Sequence, residues 1–363
     1  MTGQRKRIAL CGPLAVAGAP AAGGYEASNA RLLALLAASG REVLPFAYPA
    51  VKTRGQAVKA LAYLWRFASL AGQARRLGGG DVFHATPLAR HFIRGEIAIL
   101  RAARAAGARI VLDLRAGNKR ADHEARGAPY RRQFAALLAL ADAVAVEGEV
   151  YLPFIRTLRP EVPVLYLPNF LPDADIPASA PQRQALPLRF VHVGAVSEEK
   201  GVRHAARLVA ALAARGLPVR FDVFGRVDAG FARRLAAETF DAGWLVCHGA
   251  QPFAVIQAAL AQAHFFLFLT CWRGEGHSNA LTEAMSQGAV PVVTDHGFNR
   301  EVAGPDAIMV PDREALDNAI ALVERLAADP GELARRAGAL VGRVRGSYSE
   351  SAVRPVLSAL YGD

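Results

Sequence analysis

The stretch FFLFLTCWRGEGHSNALTEAMSQGAVPVVTD, Phe265 to Asp295, decides the fold. Phe265 to Leu269 is wholly apolar, short enough for a strand and too short for a buried helix. A loop with Gly274 and Gly276 follows. Asn279, a good cap, then opens a helix that runs to Gln287. Val290 to Thr294 is a second apolar strand. Uninterrupted apolar strands joined through helices belong to parallel sheets covered on both faces, so the fold class is α/β.

The same alternation extends in both directions. Upstream lie strands at Arg189 to Val193, Arg220 to Phe224 and Leu245 to His248, with helices at Gly201 to Arg215, Ala229 to Glu238 and Pro252 to Ala261. Downstream, Arg313 to Ala328 is helical. The first half repeats the theme. Its strands are Arg7 to Cys11, Glu42 to Ala47, Asp81 to His84, Arg109 to Leu114, Ala143 to Val146 and Val164 to Leu167. Its helices are Tyr25 to Ser39, Gln56 to Leu77 and Ile93 to Ala106. Pro168 to Pro187 is rich in Pro, Ala, Asp and Ser and lacks periodicity. The chain therefore divides into a domain over 1–170, a linker over 171–187 and a domain over 188–346. A length of 363 residues suits two such cores.

Apolar residues make up 52% and charged residues 21%, a globular composition. Cys11, Cys247 and Cys271 have no metal-ligand spacing and predict a reducing, cytoplasmic setting. The longest apolar run, Phe265 to Trp272, falls far short of the roughly 20 residues a membrane helix needs. Net charge is +11 and unevenly placed. Residues 1–170 hold 24 Lys and Arg against 11 Asp and Glu, or +13, and the remainder is −2. An anionic partner for the first half is expected, a membrane surface or a lipid phosphate. Gln56 to Leu77 mixes Lys59, Arg66, Arg75 and Arg76 with Leu61, Leu64, Trp65 and Phe67, the composition of a helix lying on lipid. No motif supports nucleic-acid binding.

Ligands of open parallel sheets bind beyond the C-terminal strand ends, where the loop 270–278 lies. Its glycines let a ligand approach the backbone, and the helix start at Asn279 directs amides and a positive dipole end toward it, which favours a phosphate. Glu275 and Glu283 beside that anion site make sense as acceptors for hydroxyls.

Glu275 and Glu283, separated by seven residues, together with the surrounding EGHSNALTEAMSQGAVPVVTD, resemble the E-x7-E segment of retaining glycosyltransferases of family 4, which have the GT-B fold. The resemblance implies two Rossmann-like domains facing a cleft. It gives Glu275 the donor hexose, Glu283 the nucleotide ribose, and Gly276, His277, Ser278, Asn279, Ala280 and Leu281 the donor's surroundings, with backbone amides near Asn279 to Leu281 meeting the diphosphate. VHVGAVSEEKG, Val191 to Gly201, resembles the family's strand and G-R-x-x-x-x-K-G. Lys200 stands at the phosphate-binding Lys, but Ala195 replaces the Arg. Arg226 and Arg273 are candidate substitutes.

Gly23 and Gly24 resemble the family's glycine loop beside the donor, and Pro168-Asn169 its turn before the linker. Thr294 to Glu301 resembles T/S-D-x-G-x-x-x-E, which makes His296 and Glu301 candidate donor contacts. Where many members carry a catalytic-site His, alignment of strands places Asp113, able to orient a sugar hydroxyl, with Arg115 able to meet an acceptor phosphate. His84 matches a less direct family His. Ser347 to Tyr361 resembles the terminal helix that returns to the first domain.

The resemblance thus implies transfer of a hexose from a UDP- or GDP-type sugar to a saccharide or lipid-linked hydroxyl. It implies no cofactor beyond that co-substrate. Asp173 and Asp175, a D-x-D pair in the linker, are rejected as a metal site. A sugar-nucleotide epimerase on the same fold and a non-catalytic nucleotide-binding relative are the alternatives.

Overall fold

The structure is a computed structural model, and it describes residues 7–15, 23–48, 56–227, 230, 231, 233, 234 and 243–363. The chain forms two compact units. Unit 1 comprises Met1–Phe170 with Val353–Asp363, and unit 2 comprises Leu171–Ala352.

Unit 1 is built on a six-stranded parallel sheet in the order β2-β1-β3-β4-β5-β6. The strands are β1 (Ile8–Gly12), β2 (Val43–Ala47), β3 (Val82–Ala85), β4 (Arg109–Leu114), β5 (Ala143–Val146) and β6 (Val164–Tyr166). β1, β3 and β5 are buried at every residue, as both faces must be when helices cover each side. Those helices are α1 (Gly24–Ala38), α2 (Gln56–Ala74), α3 (Ile93–Ala105), α4 (Lys119–Ala125), α5 (Gly127–Leu138) and α6 (Leu152–Leu158). The core gathers Ile8, Leu10, Leu32, Leu36 and Val111 with Leu357 and Leu360 from the chain's last helix.

Unit 2 repeats the plan in the order β12-β11-β10-β7-β8-β9. Its strands are β7 (Leu188–Val193), β8 (Val219–Phe224), β9 (Leu245–Gly249), β10 (Phe265–Phe268), β11 (Val290–Thr294) and β12 (Ile308–Val310). Its described helices are α7 (Val202–Ala214), α8 (Phe253–Gln262), α9 (Asn279–Ser286), α10 (Asn299–Ala303), α11 (Asp317–Ala327) and α12 (Pro330–Ser347). α13 (Glu350–Tyr361) ends the chain. Phe190 and Phe265 stack at 5.4 Å across the β7–β10 pair at the sheet's centre.

Several expectations need correction. The segment 171–187, read from the sequence as the linker, groups with unit 2. Leu171 bridges to Ser349, and the Asp175 carbonyl accepts from Gln257 Nε2 at 3.3 Å and Gln287 Nε2 at 3.2 Å. Asp173 accepts from the Ser351 hydroxyl at 2.5 Å. The expected terminal helix 347–361 is the end of α12 and then α13, broken at Tyr348. β12, α4, α5, α6, α10 and α12 were not read from the sequence. The expected helix over 229–238 and the loop residues 16–22 lie largely outside the described residues. No described helix is long and apolar enough to cross a membrane.

Candidate functional site

In unit 2, β7 and β10 are neighbours, so the loops at their C-terminal ends meet. The Cys271 amide donates to the Glu199 carbonyl at 2.8 Å. Gly201, φ +74°, closes the first loop where a Cβ would lie 1.9 Å from the Leu269 carbonyl oxygen, so only glycine lets the chains approach this closely. The contact holds Lys200 over the second loop. Its Nζ donates to Glu275 Oε2 at 2.7 Å and lies 4.4 Å from the Trp272 ring centroid. The Thr270 hydroxyl donates to the same carboxylate oxygen at 2.9 Å. Lys200 and Glu275 side chains are 17% and 7% exposed, so this ion pair is nearly enclosed.

Further contacts hold the loop's shape. The Thr294 hydroxyl donates to the Thr270 carbonyl at 2.6 Å, and His296 Nε2 lies 2.8 Å from the Trp272 carbonyl. Gly297, φ +59°, passes so near Glu275 that a Cβ would sit 2.3 Å from its carbonyl oxygen. His277 is buried, its Nε2 2.7 Å from the Thr282 hydroxyl and its ring edge-on to Tyr348 at 4.9 Å.

The cap of α9 is Ser278, not Asn279. Ser278 has extended backbone, φ −71° and ψ 121°, and its hydroxyl accepts from the Leu281 amide, while Asn279 is already helical. Gly276 and Leu281 are buried, and Ser278, Asn279, Ala280 and Glu283 half-buried. A helix's first-turn amides lack partners within the helix, which leaves this end suited to an anion. Glu283 follows one turn in. Glu301, in α10, is half-buried, and its carbonyl accepts from Arg343 Nη2 at 2.6 Å. Arg226 is exposed after β8, and its carbonyl accepts from the Val196 amide at 2.9 Å. That puts its main chain beside the loop that carries Ala195.

Unit 2 thus gathers Lys200, Glu275 and the start of α9, with Arg226 one strand away. The sequence reading missed Thr270 and Trp272. A hydroxyl at the end of an apolar strand and an aromatic residue in a glycine loop were the available signals.

Gly23, Gly24 and Asp113 belong to unit 1. Gly23 and Gly24 are exposed at the start of α1. Asp113 is not an open strand-end group, since it lies within β4 with no exposed surface. Arg115 donates to its Oδ2 through Nη2 at 2.6 Å and Nε at 2.8 Å, and His84 Nε2 lies 3.3 Å away. Burial pushes its carboxyl up, but Arg115 and His84 outweigh that and hold it below the usual range. The chain of contacts continues from Arg115 Nη1 to Asn169 Oδ1 at 3.3 Å and from His84 Nδ1 to the Tyr361 hydroxyl at 2.9 Å. Arg115 is spent on this network and, 3% exposed, is no open anion contact.

Residues 187–328 match the family model of glycosyl transferases group 1. That group 1 region spans β7 to α11 and contains Lys200, Glu275 and Glu283. No curated protein matches the sequence. Among solved structures, sucrose-phosphate synthase from Thermosynechococcus elongatus is similar with a TM-score of 0.75 at 17% identity, over 99% of this chain and 98% of its own. An α,α-trehalose-phosphate synthase (UDP-forming) from Burkholderia vietnamiensis gives 0.71 at 13%, over 99% and 98%. HepE from Anabaena, in complex with UDP, gives 0.68 at 14%, over 98% and 99%. At such identities the likeness concerns the fold, two parallel six-stranded sheets in an α/β chain of the GT-B class.

Proposed function

We propose that the chain is a retaining, family 4 type glycosyltransferase of the cytoplasm. It moves a hexose from a UDP- or GDP-type sugar to a saccharide or lipid-linked hydroxyl, in cell-surface polysaccharide or glycolipid assembly. The observation that carries this reading is the Lys200–Glu275 pair, 2.7 Å apart at the ends of neighbouring parallel strands, on the loop from which α9 opens. The group 1 match over 187–328 supports it, as does the UDP-glucose in a HepE complex.

An ammonium has three donors and Glu275 takes one, so Lys200 can also hold a diphosphate oxygen. The start of α9 would share that charge, and exposed Arg226 would take the part of the arginine that Ala195 replaces. Glu275 would position the hexose and Glu283 the ribose. With the diphosphate charge offset by the chain's own cation and amides, no protein-bound metal is required. In a front-face transfer the anomeric carbon's bond to the phosphate oxygen breaks as the acceptor oxygen bonds on the same face. The acceptor's proton passes to the leaving phosphate.

Calorimetry with UDP and GDP, followed by product analysis with labelled donors, tests the reading. Binding of one nucleotide and a product that keeps the donor's anomeric configuration are expected. No binding of either would overturn the assignment, and an inverted product would overturn the retaining mechanism alone.

A further inference from the structure

Helix α2 is apolar on two sides. One is used inside unit 1, where Phe67, Leu70 and Ala74 are buried and Phe67 stacks on Phe92 at 5.5 Å. The other faces water. Val58, Leu61, Leu64 and Trp65 are 59%, 67%, 69% and 69% exposed. At about 100° per residue, Val58, Leu61 and Trp65 form one stripe with Leu64 at its border. The stripe continues through Ala68 and Gly72, both exposed. Single exposed leucines are ordinary, but these four adjoin one another on one helix and form a patch.

Cations frame the patch. Lys59 and Arg66 fall along one flank, Arg75 and Arg76 follow the last turn, and all four are exposed. From Val43 to Gly80 the chain has six Lys and Arg and no Asp or Glu. The partner must therefore accept apolar side chains at the centre and offer negative charge at the rim. A nucleic acid offers charge without apolar depth. A second copy of this helix would bring cations against cations. An anionic bilayer offers both features.

We propose that α2 docks unit 1 on an anionic lipid surface. Leu61, Leu64 and Trp65 enter the boundary between headgroups and acyl chains, and Lys59, Arg66, Arg75 and Arg76 meet lipid phosphates. This holds whether or not the chain transfers sugar.

The test is sedimentation of the full chain with vesicles of phosphatidylcholine containing about one-third phosphatidylglycerol, against pure phosphatidylcholine. Each cation near an anionic leaflet favours binding about fivefold, so four together predict a preference of several hundredfold, falling as salt is raised. Leu64→Gln/Trp65→Gln, at solvent-facing positions, should melt like the parent and lose at least about tenfold in partitioning. Equal recovery from both vesicle types, or undiminished binding by the double variant, would overturn the proposal. Two other outcomes also overturn it. One is a concentration-dependent dimer that the double variant abolishes, with no vesicle binding. The other is binding of RNA but not of vesicles.

Discussion

Replacing Lys200 by Met removes the cation of the Glu275 pair and keeps most of the side chain's length. The pair is nearly enclosed, with side chains 17% and 7% exposed. Glu275 Oε2 would keep the Thr270 hydroxyl at 2.9 Å, a neutral donor in place of a charged one. Stripping a fully buried carboxylate of its cation costs about 3–5 kcal/mol. Because Lys200 retains some water contact, about 2–3 kcal/mol is the better expectation here. For a unit of this size that lowers the melting temperature by roughly 5–10 °C. Adding Glu275→Gln should restore most of the stability, since a neutral amide needs no counter-charge. It should not restore nucleotide binding. A lost charge-assisted contact to the diphosphate is worth about 1.5–3 kcal/mol, or roughly 10- to 150-fold in Kd for UDP or GDP. Scanning calorimetry and titration calorimetry on the parent, single and double variants separate the two effects. A Lys200→Met variant that melts and binds like the parent, or a double variant that regains affinity together with stability, would refute a dual role for Lys200.

Asp113→Asn removes the charge that balances Arg115, whose side chain is 4% exposed, and should destabilise unit 1 by about 3–5 kcal/mol in urea titrations. Unchanged stability with lost turnover would return Asp113 to substrate contact. Burial pulls the His192 imidazole down to about 4 against a hydrogen bond with the Leu267 carbonyl, and burial with Arg183 pulls His264 down to about 4. Both histidines protonate near about 6.5 once unfolded, so the stability they confer is complete above that pH and is lost as pH falls toward about 4. His192 alone should cost about 2 kcal/mol at about pH 5, and equal urea midpoints at pH 7 and 5 would exclude this. Gly201→Ala puts a Cβ 1.9 Å from the Leu269 carbonyl oxygen at φ +74°. At least about 3 kcal/mol should be lost along with nucleotide affinity, and a variant with parent-like melting and Kd would refute the contact.

Most of the fold was legible because its signals are local. An apolar run such as Val290 to Thr294 needs both faces covered wherever it lies, so strand, helix and strand could be read in order. Short elements were lost, among them α4, seven mostly polar residues, and β12, apolar but only three residues long. α12 did announce itself. Asp329 three residues before Glu332 is a helix-start pattern, and the Asp329 side chain accepts from the Glu332 amide at 2.9 Å. Ser278 and Asn279 are equally good caps by residue type, and only the backbone angles at Ser278 separate them.

The residue types of the candidate site could be read locally, before any fold was known. Glu275, Glu283 and Lys200 were all nominated from their motifs. That Lys200 and Glu275, 75 residues apart, form a single ion pair emerges only from the packed fold. The reason is strand order, since β10 returns to lie beside β7 rather than beside β9 and brings the two loops into contact. The same kind of crossing decided the fate of Asp113. A strand-end carboxylate looks open in sequence, but β3 alongside β4 brings His84 against it, and Arg115 folds back to enclose its charge. α2 shows the limit of composition from the other side. Leu61, Trp65 and Phe67 are alike in sequence, and only the packing of α2 on unit 1 buries Phe67 and leaves Leu61 and Trp65 in water.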